Sequence, residues 1–292
     1  MKILIAGGTG FIGSYIAKRF LQKGVEVNFV SRNKEHIQWN ITELKSALES
    51  TDILINLAGK TINCRHTTEN QKLILKSRID TTKILGEALL KCKHKPALWI
   101  NASASAFYKS ENDYCQTETK YEEGKDFLAE TVREWEKAFF SFSNLAIRQV
   151  ALRTSVVLGK NGGAFEPLYM LTKFGLGGKA GSGKQFFSWI HIEDYFGIIE
   201  YLLKNKSLQG AINVTSPTPV TNAEFMKSMR QEMGQHIGFP APEFAIRIGA
   251  RFINTEASLL LNPVRYCPEK LINNGFKFKY ATCESALKEL VS

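Results

Sequence analysis

Near its start the sequence has the apolar run Lys2-Ile3-Leu4-Ile5-Ala6, which leads directly into Gly7-Gly8-Thr9-Gly10-Phe11-Ile12-Gly13. A short apolar run bounded by glycine predicts a buried strand. Apolar residues then recur at helical spacing as far as Gly24, which predicts an amphipathic helix that ends there. A glycine turn between a strand and a helix is typical of a dinucleotide site, because the helix N-terminus offers unpaired N–H groups to a pyrophosphate.

The glycines of this turn have different expected roles. Gly8 is expected to form the tight turn, Gly10 to let a pyrophosphate approach the backbone, and Gly13 to let the helix pack against the strand. A purely structural glycine turn is the alternative. The residues of this stretch that are expected to contact the cofactor are Gly7, Gly8, Thr9, Gly10, Phe11, Ile12 and Gly13.

A second strand is predicted from Val25 to Val30, and it ends at Ser31-Arg32. An NAD site usually places Asp or Glu at this point to hold the ribose 2′-hydroxyl, whereas an arginine accommodates a 2′-phosphate. Ser31 can donate a hydrogen bond and Arg32 a charge-assisted one. NADP(H) is therefore predicted rather than NAD, with a solvated loop charge as the alternative for Arg32.

Two further strands are predicted to end in functional residues. The third ends in Asn56-Leu57-Ala58-Gly59, where small residues would let the backbone pass close to a cofactor. The fourth ends at Ser103, and Tyr108 follows it, so hydroxyl groups stand beyond the carboxyl end of the sheet. Arg78, on the long helix predicted between these strands, is either a second cationic contact to phosphate or a plain surface charge.

The second half of the chain offers weaker signals. A fifth strand is predicted over 145–157, and Arg153 inside it needs an ionic partner or a ligand. Gly178 to Lys184 has the spacing of a phosphate-binding loop, but Gln185 stands where Ser or Thr should bind magnesium. A mobile, lysine-bearing loop over the cleft is the preferred interpretation. His191 is either a proton-transfer group or a hydrogen-bonded core residue.

These patterns predict an α/β fold with a Rossmann-type doubly wound parallel sheet and a smaller, mainly helical carboxy-terminal substrate lobe. The NADP-binding domain is predicted over residues 1–160, with its sheet completed by about 188–216. The smaller lobe is predicted to comprise 161–187 and 217–292.

Composition restricts the class of protein. The chain has 292 residues and a formal net charge of +10, but its basic residues are spread along the sequence without a nucleic-acid motif. An anionic cofactor or substrate explains the charge more simply. The sequence has no apolar run of 18 residues and no signal pattern, so no membrane segment is expected. Five scattered cysteines favour reduced thiols in the cytoplasm, and Cys92 with His94 lacks a second ligand pair for a metal.

Several segments together resemble a known family. The chain resembles the extended and atypical short-chain dehydrogenase/reductases, and in particular the nucleoside-diphosphate-sugar-epimerase-like subgroup with its own carboxy-terminal domain. The resemblance covers essentially the whole length and rests on 7–13, 56–59, 77–79, 152–159, 181–194, 213–225 and 274–278. It implies cofactor contacts from Gly7 to Gly13 and at Ser31, Arg32, Asn56, Leu57, Ala58, Gly59, Arg78, Ser103 and Val157.

The chain departs from that family at the catalytic pair Tyr-x-x-x-Lys. The helix after the fourth strand begins Phe127-Leu128-Ala129-Glu130-Thr131-Val132 and lacks the pair. The pair matters because the lysine lowers the tyrosine pKa, so that the phenol can exchange a proton near neutral pH. Tyr121 and Lys125 have the spacing but precede the helix, which indicates coincidence. The asparagine usual on the long helix is replaced by Arg78.

Two functions remain open from the sequence. The first is an NADP(H)-dependent oxidoreductase or epimerase-like enzyme, in which Ser103 polarises a substrate carbonyl and Tyr108 acts as acid/base. Lys184 or His191 would bind substrate from the side of the mobile loop over the cleft. The second is a non-catalytic NADP(H) sensor or scaffold. The expected partner is a small, anionic molecule rather than nucleic acid or membrane, and a homodimer is an open alternative.

Overall fold

The computed structural model describes residues 1–110, 114–252 and 264–292. The strands are β1 (Lys2–Ala6), β2 (Glu26–Val30), β3 (Ile53–Asn56), β4 (Leu98–Ala104), β5 (Arg148–Thr154), β6 (Val156–Gly159), β7 (Gly162–Gly163), β8 (Phe186–Phe187), β9 (Trp189–His191), β10 (Gly210–Val214) and β11 (Val220–Thr221). The helices are α1 (Phe11–Gln22), α2 (Ile41–Leu48), α3 (Thr68–Leu90), α4 (Phe127–Phe140), α5 (Phe165–Lys173), α6 (Ile192–Lys204), α7 (Asn222–Glu232), α8 (Glu243–Phe252), α9 (Glu269–Asn273) and α10 (Cys283–Val291).

Six strands form one parallel sheet in the order β10-β5-β4-β3-β1-β2. Residues 3–6 of β1 and 53–55 of β3 are continuously apolar and buried, because helices cover both faces of the sheet. Ile3 and Ile5 of β1 pack with Phe20 of α1 in one core, whereas Leu4 packs with Leu85 of α3 in the other. The doubly wound fold predicted from the alternation of strands and helices is confirmed.

The predicted fifth strand is wrong in its extent. The chain leaves the six-stranded sheet at Ser155, and β6 then pairs with β9 in a separate sheet of order β7-β6-β9. The N–H of Ser155 still donates to Val214 of β10, but the N–H of Val156 donates to Ser188. An apolar run does not reveal a change of sheet, because both sheets bury such residues. Of the range 188–216 that was expected to complete the main sheet, β10 joins it and β9 does not.

The carboxy-terminal lobe has its own core, in which Phe225 and Met229 of α7 pack with Leu287 of α10. The capping box that the sequence predicts at Thr221 and Glu224 is present at the start of α7. A helix was predicted from Glu243 to Leu261. Its first part is α8, and residues 253–263 lie outside the described part of the chain.

Reduced thiols were expected for all five cysteines, and for two of them this expectation is wrong. Cys115 and Cys267 form a disulfide across a sequence separation of 152 residues, while Cys64, Cys92 and Cys283 are free. Sequence spacing carries no signal for such a pairing, because the fold alone brings the two residues together. Across residues 1–110, 114–252 and 264–292, no helix combines the length and the apolar character needed to cross a membrane.

Candidate cofactor and substrate site

The turn between β1 and α1 depends on glycine at three positions. Gly7 has φ +82°, and a Cβ atom there would lie 2.8 Å from the backbone nitrogen of Ala58. A Cβ at Gly13 would lie 2.4 Å from the carbonyl oxygen of Gly7. Gly7 therefore forms the tight turn that was predicted for Gly8. Gly13 allows close packing of the helix, as predicted, but its contact is with the turn at Gly7 and Gly8 rather than with the strand. Position 8 must be glycine for another reason: a Cβ atom there would lie 2.1 Å from the ring of Phe29, which leaves no room for a side chain.

The N-terminus of α1 is suited to an anion. Its N-cap residue, Gly10, provides no side-chain acceptor, and the first turn contains no acidic residue. A Cβ at Gly10 would meet nothing closer than 3.5 Å, so the backbone is open at this point. The first-turn N–H groups and the positive end of the helix dipole therefore fit the pyrophosphate of a dinucleotide.

The ring of Phe11 packs against glycines of the β6–β7 hairpin, which the sequence did not single out. Cβ atoms at Gly159, Gly162 and Gly163 would lie 2.9, 2.6 and 2.7 Å from this ring. Gly163 also lies against the carbonyl oxygen of Val157, where a Cβ would come within 2.8 Å. The side chain of Phe11 thus fixes α1 to the hairpin that carries Val157.

At the end of β2 the two predicted cofactor residues differ in their surroundings. The Ser31 hydroxyl lies 2.8 Å from His36 Nδ1 and accepts a hydrogen bond from the N–H of Asn33 at 2.9 Å. Arg32 is exposed, and no residue of the described chain pairs with its guanidinium. The cation is therefore available to a phosphate at this edge.

The turn after β3 is held in place by hydrogen bonds of a buried side chain. The side chain of Asn56 is fully buried; its Oδ1 accepts from the N–H of Ala58 at 3.1 Å, and its Nδ2 donates to Asn101 Oδ1 at 2.7 Å. Asn56 therefore positions the turn that contains Leu57 and Ala58 and does not itself reach the surface. The sequence predicted a direct contact because the strand end and the turn are adjacent along the chain.

Arg78 of α3 lies beside the same turn. Its Nη1 donates to the carbonyl oxygens of Lys60 and Ile74 at 3.0 Å, and its guanidinium stacks 5.2 Å from the ring centre of Trp135. No carboxylate of the described residues pairs with it, and burial lowers its pKa to about 10. A partly buried cation without an acidic partner is costly unless an anion neutralises it. A Cβ at Gly59 would lie 3.4 Å from this side chain, so Arg78 adjoins the predicted cofactor turn.

Three neighbouring strands place polar side chains in one row near their carboxyl ends. Ser103 of β4 and Asn213 of β10 are both in register with Arg153 of β5. Arg153 makes two hydrogen bonds to Glu136 of α4, Nε to Oε1 at 2.9 Å and Nη2 to Oε2 at 2.8 Å. The ionic partner that the sequence required for Arg153 is thus Glu136. Ser103 Oγ donates to the same carboxylate at 2.5 Å.

Tyr108 belongs to this buried cluster. Its hydroxyl donates to Asn213 Oδ1 at 2.6 Å and accepts from Arg153 Nη1 at 3.0 Å, and the residue is 2% exposed. Burial raises the pKa of Tyr108 to about 12. Ser103 cannot donate to a substrate carbonyl while it donates to Glu136, and Tyr108 cannot act on substrate while its hydroxyl is enclosed. In this arrangement both hydroxyls are engaged in hydrogen bonds at the base of the site, and their catalytic roles stay predictions.

The structure also gives the positions of the remaining candidate residues, which are His191, Lys184, Tyr121 and Lys125. His191 is 1% exposed; its Nδ1 accepts from the N–H of Glu193 and its Nε2 lies 3.1 Å from Glu289. Of the two alternatives given by the sequence, the hydrogen-bonded core residue is the one that the structure shows. Lys184 is exposed, and the loop before it leads into β8 rather than into a helix. Tyr121 and Lys125 precede α4, as expected.

Comparison with known proteins places the chain in a family. Residues 3–215 match the profile of the NAD dependent epimerase/dehydratase family, and residues 241–290 match a domain of unknown function, DUF1731. The epimerase family protein SDR39U1 of Mus musculus is 35% identical over an alignment of 297 positions that covers 100% of both chains. The epimerase family protein YfhF of Bacillus subtilis (strain 168) is 35% identical and covers 100% of this chain and 98% of its own.

A solved relative has the same fold over the full length. The crystal structure of human epimerase family protein SDR39U1 (isoform 2) with NADPH has a TM-score of 0.89 and 33% identity, and the match covers 100% of this chain and 99% of that one. The glycine turn, the six-stranded parallel sheet and the helical carboxy-terminal lobe agree with this likeness. The chain therefore belongs to the NAD dependent epimerase/dehydratase family, with a carboxy-terminal DUF1731 domain.

Proposed function

We propose that this chain binds NADP(H) and acts as an oxidoreductase or epimerase-like enzyme whose proton-transfer groups differ from the usual Tyr-x-x-x-Lys pair. The observation that carries the proposal is the N-terminus of α1, which has no side-chain cap and is open at Gly10. The likeness to human SDR39U1, which was solved with NADPH, supports the choice of cofactor.

The remaining parts of the cofactor have candidate partners along the same edge of the sheet. Arg32 at the end of β2 is the proposed contact for a 2′-phosphate, because it is exposed and no described residue pairs with it. Arg78 supplies a second positive charge beside Gly59. When bound, the nicotinamide would supply the hydride, and the chain would supply binding, orientation and exclusion of water.

A non-catalytic NADP(H) sensor is the second candidate. It is favoured by one observation, that the hydroxyls of Ser103 and Tyr108 are both held inside the Glu136–Arg153 cluster. Such a protein would keep the binding turn and lack a free acid/base at the sheet edge. The small-molecule substrate, the homodimer and the cytoplasmic location remain predictions from the sequence.

The cofactor proposal is tested by titrating the purified protein with NADPH and NADH. Arg32→Ala should weaken NADPH at least about tenfold more than NADH, because a charge-assisted phosphate contact contributes about 1.5–3 kcal/mol. Lys34→Ala is the matched control, since it removes an exposed cation of the same loop and should leave the NADPH/NADH ratio unchanged. Equal losses for both nucleotides in Arg32→Ala would refute the 2′-phosphate contact.

Turnover distinguishes the two functions. An oxidoreductase should oxidise NADPH with at least one member of a panel of carbonyl and nucleotide-sugar compounds, and an epimerase-like enzyme should invert a stereocentre of one of them without net change in the cofactor. A sensor should retain stoichiometric NADPH, leave it unoxidised and convert no member of the panel. Full turnover in both Ser103→Ala and Tyr108→Phe would exclude these hydroxyls from the chemistry while leaving cofactor binding intact.

A further inference from the structure

The Cys115–Cys267 disulfide joins two segments that meet over the carboxyl ends of β4, β5 and β10. Cys115 lies on the strap, defined here as residues 114–124 between β4 and α4. Cys267 lies on the carboxy-terminal segment 264–268. Apart from the disulfide, the N–H of Cys267 donates to Gln116 at 2.8 Å, and the N–H of Gln116 donates to Arg265 at 3.0 Å. The crosslink therefore fastens the carboxy-terminal lobe to the Rossmann domain.

The tie is directly connected to the buried Arg153 cluster. The carbonyl oxygen of Cys267 accepts from Asn213 Nδ2 at 2.9 Å, and Asn213 in turn accepts from the hydroxyl of Tyr108. Tyr266, the residue before Cys267, is fully buried with its ring centre 5.4 Å from that of Tyr108. The position of segment 264–268 thus determines how tightly the base of the candidate site is enclosed.

The two bonded cysteines are also more accessible than two of the three free ones. Both Cys115 and Cys267 are partly exposed, whereas Cys92 and Cys283 are 4% and 1% exposed. Burial raises the pKa of the Cys92 thiol to about 11 and raises that of Cys283 as well. Thiol–disulfide exchange requires access to sulfur, and the bonded pair is more exposed than Cys92 and Cys283.

We propose that Cys115–Cys267 is a redox-controlled tie, which a dithiol reductant opens and which thereby loosens segment 264–268 from the strap at the base of the candidate site. A thiolate of the dithiol attacks one cysteine sulfur, and the S–S bond breaks as a mixed disulfide forms. The second thiol of the reductant then attacks this mixed disulfide and releases the cysteine that is still bound to the reductant. Two electrons and two protons pass to the protein, which holds two thiols, and the reductant becomes a disulfide. This regulation goes beyond the proposed cofactor binding and does not depend on it.

In the reduced protein, segment 264–268 keeps its two backbone hydrogen bonds to Gln116 but loses the covalent link. Local opening of segment 264–268 then becomes easier without unfolding of the six-stranded sheet. The strands β1 to β5 pack in two hydrophobic cores that contain no residue of this segment. The strap itself stays anchored by Gln116, whose side chain donates to the carbonyl of Lys109 at 2.8 Å and accepts from the N–H of Glu122 at 2.9 Å.

Hydrogen exchange of the full chain, measured without nucleotide and with or without dithiothreitol, tests the tie. On reduction, the exchange rates of the Gln116 and Cys267 amides should rise at least about tenfold more than those of amides in β1 and β3, which report the loss of global stability. In the double variant Cys115→Ser/Cys267→Ser, the amides at positions 116 and 267 should exchange at the faster rate without dithiothreitol, and adding the reductant should not change that rate. Cys64→Ser removes a partly exposed free thiol and should respond like the wild type.

Three results would overturn the proposal. The first is that mass spectrometry after alkylation detects no new thiols, because dithiothreitol does not reduce the disulfide of the folded protein. Full reduction could leave exchange at Gln116 and Cys267 unaltered. Exchange could also rise by the same factor at Gln116, at Cys267 and in the described strands of the main sheet, which would mean that the disulfide stabilises only the fold as a whole. If the double variant fails to fold, wild-type protein alkylated after reduction supplies the same comparison. Loss of NADPH binding in any variant bears only on the cofactor proposal.

Discussion

The ion pair of Arg153 and Glu136 is the most constrained pair of residues at the candidate site. Their side chains are 6% and 10% exposed. Removing one partner of such a pair costs more than the pair contributes, because the other charge remains buried without compensation. The sequence indicated that Arg153 needed a partner, but nothing in the pattern of α4 distinguished Glu136 from the other acidic residues of that helix.

We expect Glu136→Leu to lower the free energy of unfolding by about 3–5 kcal/mol, measured by urea denaturation. Glu134→Leu is the matched control on the same helix, where the carboxylate pairs with Lys137 at 3.6 Å at the surface. Its loss should be at most about 1 kcal/mol. Similar losses in the two variants would mean that Arg153 is not an uncompensated charge in Glu136→Leu.

His191 gives the stability a defined pH dependence. Burial lowers its pKa below the ordinary value of 6.5, and its Nδ1 must stay unprotonated to cap α6. The unfolded chain therefore binds the proton first as pH falls, and stability is lost from about pH 6.5 downward through the folded pKa. The slope from this one group is at most about 1.4 kcal/mol per pH unit.

His191→Asn should keep the cap and remove this part of the pH dependence, because asparagine is a good N-cap residue that does not titrate here. The measurement is the difference in unfolding free energy between wild type and variant from pH 8 to pH 5. That difference should shrink as pH falls. A constant difference over this range would show that His191 titrates equally in the folded and unfolded states. Asp194, whose pKa burial raises, acts in the opposite direction and is common to both proteins.

At the scale of elements, the contact between α1 and the β6–β7 hairpin holds the phosphate-binding turn in place. Gly159→Ala would put a methyl group 2.9 Å from both Phe11 and Ile192, although the backbone there needs no special conformation. We expect this variant to bind NADPH at least about tenfold more weakly, since the ring must shift and α1 shifts with it. The binding is measured by titration.

Gly249→Ala is the control for this prediction. Gly249 lies in α8 with nothing within 4 Å of a Cβ, so the change should leave NADPH binding alone and stabilise the helix by up to about 1 kcal/mol. Unchanged affinity in Gly159→Ala would mean that the Phe11 ring moves without displacing the first turn of α1.

The elements that the sequence predicted well are those with one local signal. Helix α4 begins after Asp126, as its capping pattern indicates, and β1, α1 and β2 follow from periodicity and glycine alone. The split of the predicted strand at Ser155 was missed because it depends on which strand accepts each N–H, and that is settled by distant residues. The same reason hides the row of Ser103, Arg153 and Asn213, which three separate strands bring together.

For the whole molecule, the disulfide is the longest covalent constraint on the chain. It closes a loop across 152 residues, and in the chain-entropy description such a loop restricts the unfolded state strongly. We expect reduction to lower the free energy of unfolding by about 2–5 kcal/mol in urea. The dependence of that free energy on urea should become steeper, because the unfolded chain without a crosslink exposes more surface.

These two quantities together separate the possible origins of the effect. A lower midpoint with a steeper slope places the effect in the unfolded chain, where loop entropy acts. A lower midpoint with an unchanged slope would instead place it in the folded state, at the contacts of Cys267 with Gln116 and Asn213. Cys115→Ser/Cys267→Ser should match the reduced wild type in both quantities, and Cys64→Ser should match the oxidised protein. An unaltered midpoint on full reduction would contradict the prediction, since neither the loop nor the contacts would then depend on the bond.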